Sequence, residues 1–240
     1  MNDRNFMQML EDQWSRGNFV CVGLDSEICK VPTAHIPNSK YMTASEVQVV
    51  FNHAIVEATK DLVCAYKPNV AFYEAHGAEG IAALQRTILY IHTVAPDVPV
   101  ILDAKRADIG NTNTGYVDAA FEYFRADAIT VHPYLGAEAL SPFLDRKDKG
   151  IIVLCRTSNP GAGEFQDMVV KVGRSDPGEV PSGYMPFYQY VAFQVRRHWN
   201  KNGNCALVVG ATYPDELREV RGIVGDMPIL IPGIGAQGGD

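Results

Sequence analysis

The 240-residue sequence predicts an α/β fold whose parallel sheet closes into a barrel. Three observations point there. Short apolar runs without polar alternation recur at 19–24, 62–66, 98–102, 128–131, 151–155, 206–209 and 228–231, the pattern of strands covered on both faces. Amphipathic stretches of helical period lie between them, and strand–helix succession of this kind builds parallel sheets. Polar or charged residues follow the apolar runs directly: Asp25, Lys67, Asp103 with Lys105, His132, Arg156 to Ser158, and the glycines from Gly233 to Gly239. A TIM (β/α)8 barrel gathers its chemistry at many strand ends in this way, whereas a doubly wound sheet concentrates it at one switch point. The expectation is one barrel domain over residues 1–240.

The elements follow in order. Thr43-Ala-Ser-Glu46 reads as a capping box, opening a helix whose apolar stripe is Val47, Val50, Phe51, Ala54, Ile55 and Ala58. Ile81, Leu84, Ile88 and Ile91 repeat the spacing, as do Val117, Phe121 and Phe124. Pro214 is placed to start a short helix through Leu217 and Val220. Residues 156–184 are rich in Gly, Pro, Ser and Asp and lack sustained periodicity, which marks a long active-site loop with a short strand at 169–172.

Composition narrows the function classes. A net charge of −7 argues against a nucleic-acid surface but leaves room for one local positive pocket for a phosphorylated small molecule. No apolar run reaches membrane-spanning length, and the first residues carry no signal-peptide core. Five cysteines without a C-x-x-C pair suit a reducing cytoplasm, the expected location. The histidines show no metal spacing.

The most informative segment is 98–112, where an apolar run ends in Asp103, Lys105 and Asp108. Side chains alternate along a strand, so Asp103 and Lys105 project to the same side. A lysine flanked by carboxylates stays protonated, which suits a proton donor and not an amine nucleophile. Lys67, at the end of the second run, can extend this into an alternating array. An ion-pair network at the rim would use the same residues. The glycines after the seventh run let backbone N–H groups approach an anion, and barrels commonly bind phosphate there. Arg156-Thr-Ser-Asn-Pro-Gly161 offers hydroxyls and amides to a polar ring, or simply a turn.

Five segments, in order, carry a resemblance: Gly23-Leu-Asp25, Ala65-Tyr-Lys-Pro-Asn69, Leu102-Asp-Ala-Lys-Arg-Ala-Asp-Ile-Gly-Asn-Thr112, Arg156-Thr-Ser-Asn-Pro-Gly161 and Pro232-Gly-Ile-Gly-Ala-Gln-Gly-Gly239. Together they resemble the orotidine 5′-phosphate decarboxylases, in the longer bacterial (type 2) form. The resemblance implies a cofactor-free and metal-free carboxy-lyase that converts orotidine 5′-monophosphate to UMP and CO2 in pyrimidine biosynthesis. By matching position it implies Lys105 as proton donor to C6 of the base, Asp103 beside the departing carboxylate, and Lys67 linking the charges to the ribose. It places Asp25 on the ribose hydroxyls, Ser158 or Thr157 on the base, and Gln237 with Gly235 and neighbouring amides on the phosphate. Asp108 and Thr112 are implied to reach the partner's site, hence a homodimer with shared active sites. The family continues past the glutamine loop with a helix, an eighth strand and a phosphate-binding arginine, so a barrel lacking its last strand and helix is expected here. Two further readings share the Asp-x-Lys-x-x-Asp pattern or the barrel: a magnesium-dependent sugar-phosphate decarboxylase or aldolase, and an inactive nucleotide-binding barrel fragment.

Overall fold

The computed structural model describes residues 4–172, 183–234 and 238–239. The chain divides into two compact units, the first formed by residues 1–106, 110–130 and 148–150, the second by 107–109, 131–147 and 151–240.

In the first unit, α1 (Phe6–Ser15) precedes β1 (Val20–Gly23), α2 (Ala44–Thr59), β2 (Val63–Lys67), α3 (Ala71–Glu74), α4 (Gly77–Val94), β3 (Ile101–Arg106), α5 (Gly110–Val117) and β4 (Ala128–Val131). β1 pairs with β2 in parallel, setting Gly23 opposite Lys67. Parallel bridges from Tyr66 to Val100 and from Asn69 to Asp103 carry the register from β2 to β3, and β4 follows β3. The core is apolar and close-packed: Val56, Ala65, Tyr66, Tyr73, Leu84, Ile88, Ile91 and Val100 are all fully buried. α2 forms where the capping box places it, with Thr43 Oγ1 accepting from the Glu46 N–H and the Glu46 carboxylate accepting from the Thr43 N–H. Two α1 residues, Phe6 and Leu10, are buried, and a Cβ on Gly150 would fall 2.2 Å from a Phe6 ring carbon. Only glycine allows that approach.

The second unit holds α6 (Gly136–Leu144), β5 (Gly150–Arg156), α7 (Gly163–Gln166), β6 (Val169–Val172), β7 (Gly183–Pro186), α8 (Phe187–Gln194), β8 (Cys205–Val209), α9 (Pro214–Val224) and β9 (Ile229–Leu230). β5, β8 and β9 form a parallel run, with Ile151 opposite Cys205 and Leu207 opposite Ile229. β6 and β7 form an antiparallel hairpin.

Several expectations shift. The run at 98–102 becomes a strand only from Ile101 and continues to Arg106. Its Pro99 has no N–H to donate, while its carbonyl accepts from Tyr66. The segment at 156–184 is not bare loop, because a 3₁₀ turn at Pro160–Ala162, α7, β6 and the start of β7 occupy most of its described part. The stripe of Val117, Phe121 and Phe124 continues α5 through a π-helical turn, Asp118–Tyr123. α1, α6 and α8 lack a strong sequence signal, and α6 carries Pro142 inside it.

Candidate active site

The ends of β1, β2, β3 and β4 in the first unit assemble a charged cluster around one carboxylate. Asp103 projects from the middle of β3 and is 7% exposed. Its backbone is fixed on both sides, since its N–H donates to Pro68 O at 3.0 Å and its carbonyl accepts from the Val70 N–H at 3.1 Å. Lys67, at the end of β2, donates from Nζ to Asp103 Oδ2 at 3.1 Å, and Lys105 donates to Oδ1 at 2.7 Å. Thr130 on β4 donates its hydroxyl to the same Oδ1 at 2.8 Å. Asp25 extends the array: its Oδ2 lies 3.6 Å from Lys67 Nζ and its Oδ1 accepts from the Asn69 N–H at 2.9 Å.

The electrostatics follow from burial against pairing. Burial alone would raise the Asp103 carboxyl, but the ammonium groups of Lys67 and Lys105, with hydrogen bonds from Lys105 and Thr130, hold it below the usual carboxylate range. Burial works against the Lys67 ammonium, yet Asp103 and Asp25 together keep its pKa above the ordinary lysine value. Asp25 goes the other way: desolvation raises it and Lys67 only partly offsets that. The cluster therefore alternates in sign, with Asp25, Lys67, Asp103 and Lys105 in succession.

Lys105 differs from its neighbours. Its side chain is 49% exposed although it pairs with a buried carboxylate. Its backbone is left-handed, φ +47°, which costs an L residue roughly 1–2 kcal/mol. Strain of this kind persists only where surroundings enforce it, and it concentrates at functional sites. A cation with one face on a fixed carboxylate and the other open can meet negative charge developing on a ligand.

A second layer holds the Asp25 turn. Tyr73 donates from its hydroxyl to Leu24 O at 2.9 Å, and Asn52 Nδ2 donates to the Tyr73 hydroxyl at 2.9 Å. Ser26 donates to Asn52 Oδ1 at 2.8 Å. All three lie outside the motifs legible in the sequence.

The structure thus brings together Asp25, Lys67, Asp103 and Lys105. Thr112 is exposed on α5. Asp108 belongs to the second unit and accepts from the Ile109 N–H through Oδ1 at 2.7 Å. Ser158 follows β5 in that unit, where a Cβ on Gly210 would stand 2.7 Å from its Cα, so a side chain at 210 would displace the loop. Thr157 is tied to Gln166 of α7 by a 2.8 Å bond from its N–H to Oε1. The root of this loop is held by Arg156, which is buried. Its Nη2 donates to Asp167 Oδ2 at 3.0 Å, and its guanidinium lies 3.7 Å from the centre of the Tyr213 ring. Gly235 and Gln237 lie outside the described residues. Beside them the Gly239 N–H donates to Gly233 O at 3.0 Å, and the Ala211 N–H donates to Pro232 O at 2.8 Å.

Among the described residues, no group of three or more His, Cys, Asp or Glu side chains is placed to hold a metal ion. No helix among them is long and apolar enough to cross a membrane. Sequence reasoning also missed Thr130, a hydroxyl in an otherwise apolar strand. Its polarity in that run is the one signal available beforehand.

Comparison with known proteins agrees with this geometry. The sequence model of the "Orotidine 5'-phosphate decarboxylase / HUMPS family" matches residues 20–240. The orotidine 5′-phosphate decarboxylase of Cellvibrio japonicus is 47% identical over 98% of this chain and 80% of its own length. That of Thermomicrobium roseum is 50% identical over 98% of this chain and 78% of its own. The α/β fold matches the solved OMP decarboxylase of Leishmania donovani with a TM-score of 0.80 and 36% identity, covering 96% of this chain and 80% of that one. The chain belongs to the orotidine 5′-phosphate decarboxylase / HUMPS family, and its relatives are of the longer, type 2 form.

Proposed function

We propose that Lys105 is the proton donor in the reaction this chain carries out, the decarboxylation of orotidine 5′-monophosphate to UMP and CO2 in pyrimidine biosynthesis. The observation that carries the assignment is the pairing of Lys105 Nζ with buried Asp103 at 2.7 Å while half the lysine side chain stays open. Loss of CO2 leaves the bonding electron pair at C6 of the pyrimidine. A fixed ammonium stabilises that charge as it develops and then delivers its proton to C6. Asp103 holds the lysine and faces the departing carboxylate. Lys67 connects Asp103 to Asp25, which takes the ribose hydroxyls.

The remaining roles rest on matching positions in the family. Ser158 is assigned to the base, and the loop containing Gly235 and Gln237 to the phosphate. Asp108 and Thr112 are assigned to the neighbouring subunit's site in a homodimer. Phosphate binding far from the reacting carbon supplies energy that orients the ring. The architecture in this reading is one TIM-type barrel domain. One domain is supported by a family match that runs unbroken from 20 to 240. A cytoplasmic location is supported by cysteines that are all free thiols.

The test is direct. Loss of orotidine monophosphate absorbance is followed for the wild type and for Lys105→Ala, with and without EDTA. Turnover should collapse in the variant, and the wild-type rate should be indifferent to chelation. A wild-type rate abolished by EDTA would point instead to the metal-dependent sugar-phosphate branch. For the shared site, Lys105→Ala and Asp108→Asn homodimers are each expected to be nearly inactive, with activity returning on mixing. No recovery despite confirmed subunit exchange refutes the shared site.

A further inference from the structure

Thr130 lies one residue before the end of β4, between Ile129 and Val131, and is 1% exposed. A buried hydroxyl in an apolar strand is unfavourable unless its hydrogen bonds are made. Here all of them are. Its oxygen accepts from the N–H of Ala104 and the N–H of Lys105, each at 3.0 Å, and its proton goes to Asp103 Oδ1 at 2.8 Å. That uses both acceptor sites and the single donor of a hydroxyl.

The pairing of acceptors is unusual for a strand. Successive residues of a regular strand face opposite ways, so consecutive N–H groups do not meet at one atom. They converge only where the backbone turns into a nest-like conformation that includes a left-handed residue. Lys105 is that residue, with φ +47°. The same hydroxyl therefore fixes the backbone of the lysine and orients the carboxylate oxygen that receives its Nζ at 2.7 Å. A valine would fill the same space with better strand propensity, yet it would do neither.

We propose that Thr130 is a positioning residue for the decarboxylation, locking the left-handed turn at Lys105 and the orientation of Asp103 so that the ammonium is held where C6 is protonated. The inference rests on the assignment of Lys105 as proton donor made above. Without the hydroxyl, the part-buried N–H groups of Ala104 and Lys105 lose their acceptor and Lys105 can relax toward an ordinary strand conformation, drawing Nζ away. Misplacement of a catalytic group by about 1 Å costs on the order of 100-fold in rate.

The experiment compares Thr130→Val, Thr130→Ser and Lys105→Ala in the full chain by kcat, KM, UMP affinity and thermal midpoint. Thr130→Val is expected to lose about 100-fold in kcat while KM and UMP affinity stay within about threefold, since its target is the proton donor and not the nucleotide contacts. Thr130→Ser keeps the hydroxyl and is expected within about threefold of wild-type kcat. Wild-type kcat in Thr130→Val beside an inactive Lys105→Ala overturns the role of Thr130 alone. Wild-type kcat in Lys105→Ala overturns the donor assignment itself. Equal kcat loss in the serine and valine variants, or loss of UMP binding in step with kcat, makes Thr130 a packing residue and overturns the proposal. Should Thr130→Val not fold, Thr130→Ala measured against Thr130→Ser makes the same comparison.

Discussion

Two carboxylates of the first unit are buried near the two ends of the β3–β4 pair, and they are held in opposite ways. Asp127, immediately before β4, is 0% exposed and meets Arg4 through both oxygens, Nε at 2.8 Å from Oδ1 and Nη2 at 2.7 Å from Oδ2. It also accepts from the Val100 N–H at 2.8 Å. Arg4 also donates to the carbonyls of Pro96 and Val98. The Asp127 charge is met by a bidentate guanidinium and a backbone N–H. Asp103 is instead met by two ammonium groups, one of them half open to solvent on a left-handed backbone. The bidentate guanidinium pair is what a structural latch needs. An exposed, strained cation beside a buried anion contributes little to stability and much to a ligand. The distinction lies in saturation and strain, since both ends have buried charge.

Breaking each end should give opposite signatures. The largest effect belongs to Lys105→Ala, with kcat down by at least about 10³-fold as general acid catalysis is removed. Its folding free energy in urea titration should move by less than about 1 kcal/mol, because the lysine side chain is half exposed and the left-handed backbone is unchanged. Asp127→Asn reverses this pattern. It should lower unfolding free energy by about 3 kcal/mol, the cost of breaking an ion pair whose carboxylate is buried, with kcat at a permissive temperature within twofold of wild type. A large kcat loss in Asp127→Asn would erase the contrast between latch and site.

Acidification sharpens the comparison next. His92 lies 3.9 Å from Asp127, and burial, with Arg4 close by, pushes its pKa down from 6.5 to about 4. Between those values the unfolded chain takes up a proton that the folded chain refuses. Stability is therefore complete above pH 6.5 and falls by up to about 3 kcal/mol as pH drops toward 4. His92→Gln should flatten that slope in denaturation curves collected from pH 7 to 4. Asp103, held below the ordinary carboxylate value of 3.8, contributes stability that is lost only below that range. Thus the latch end should weaken in acid before the catalytic cluster does. The smallest effect calibrates the rest: Thr43→Ala, in the capping box of α2 and far from both carboxylates, should cost about 1 kcal/mol and leave kcat unchanged. A loss of several kcal/mol there would mean that stability measurements in this chain do not report local contacts.

Much of this was legible from residue order. The capping box at Thr43 and Glu46 appears as expected because both partners are local, three residues apart. Strands 128–131 and 169–172 carry apolar runs whose bounds match the structure. α6 escaped because Gly136 opens it and Pro142 interrupts its donor series, so its pattern reads as a turn. β7 escaped because Gly183-Tyr-Met-Pro186 has no strand periodicity and is ordered by pairing with β6. Within the site, Asp103 and Lys105 were visible as a same-face pair, and Lys67 and Asp25 as charged strand ends. The tyrosine and asparagine behind Asp25 were not, for nothing local distinguishes Tyr73 or Asn52 from other helix residues.

By itself the sequence determined the α/β succession, the family, and the order of charges Asp25, Lys67, Asp103 and Lys105. Those depend on apolar patterning and on residue types at strand ends, which short windows contain. Tertiary structure alone decided which lone pairs those charges meet, that Lys105 turns left-handed, and that Thr130 holds it from 25 residues away. One hydroxyl accepting two consecutive amides requires two strands in a single register, and register is a property of the folded sheet.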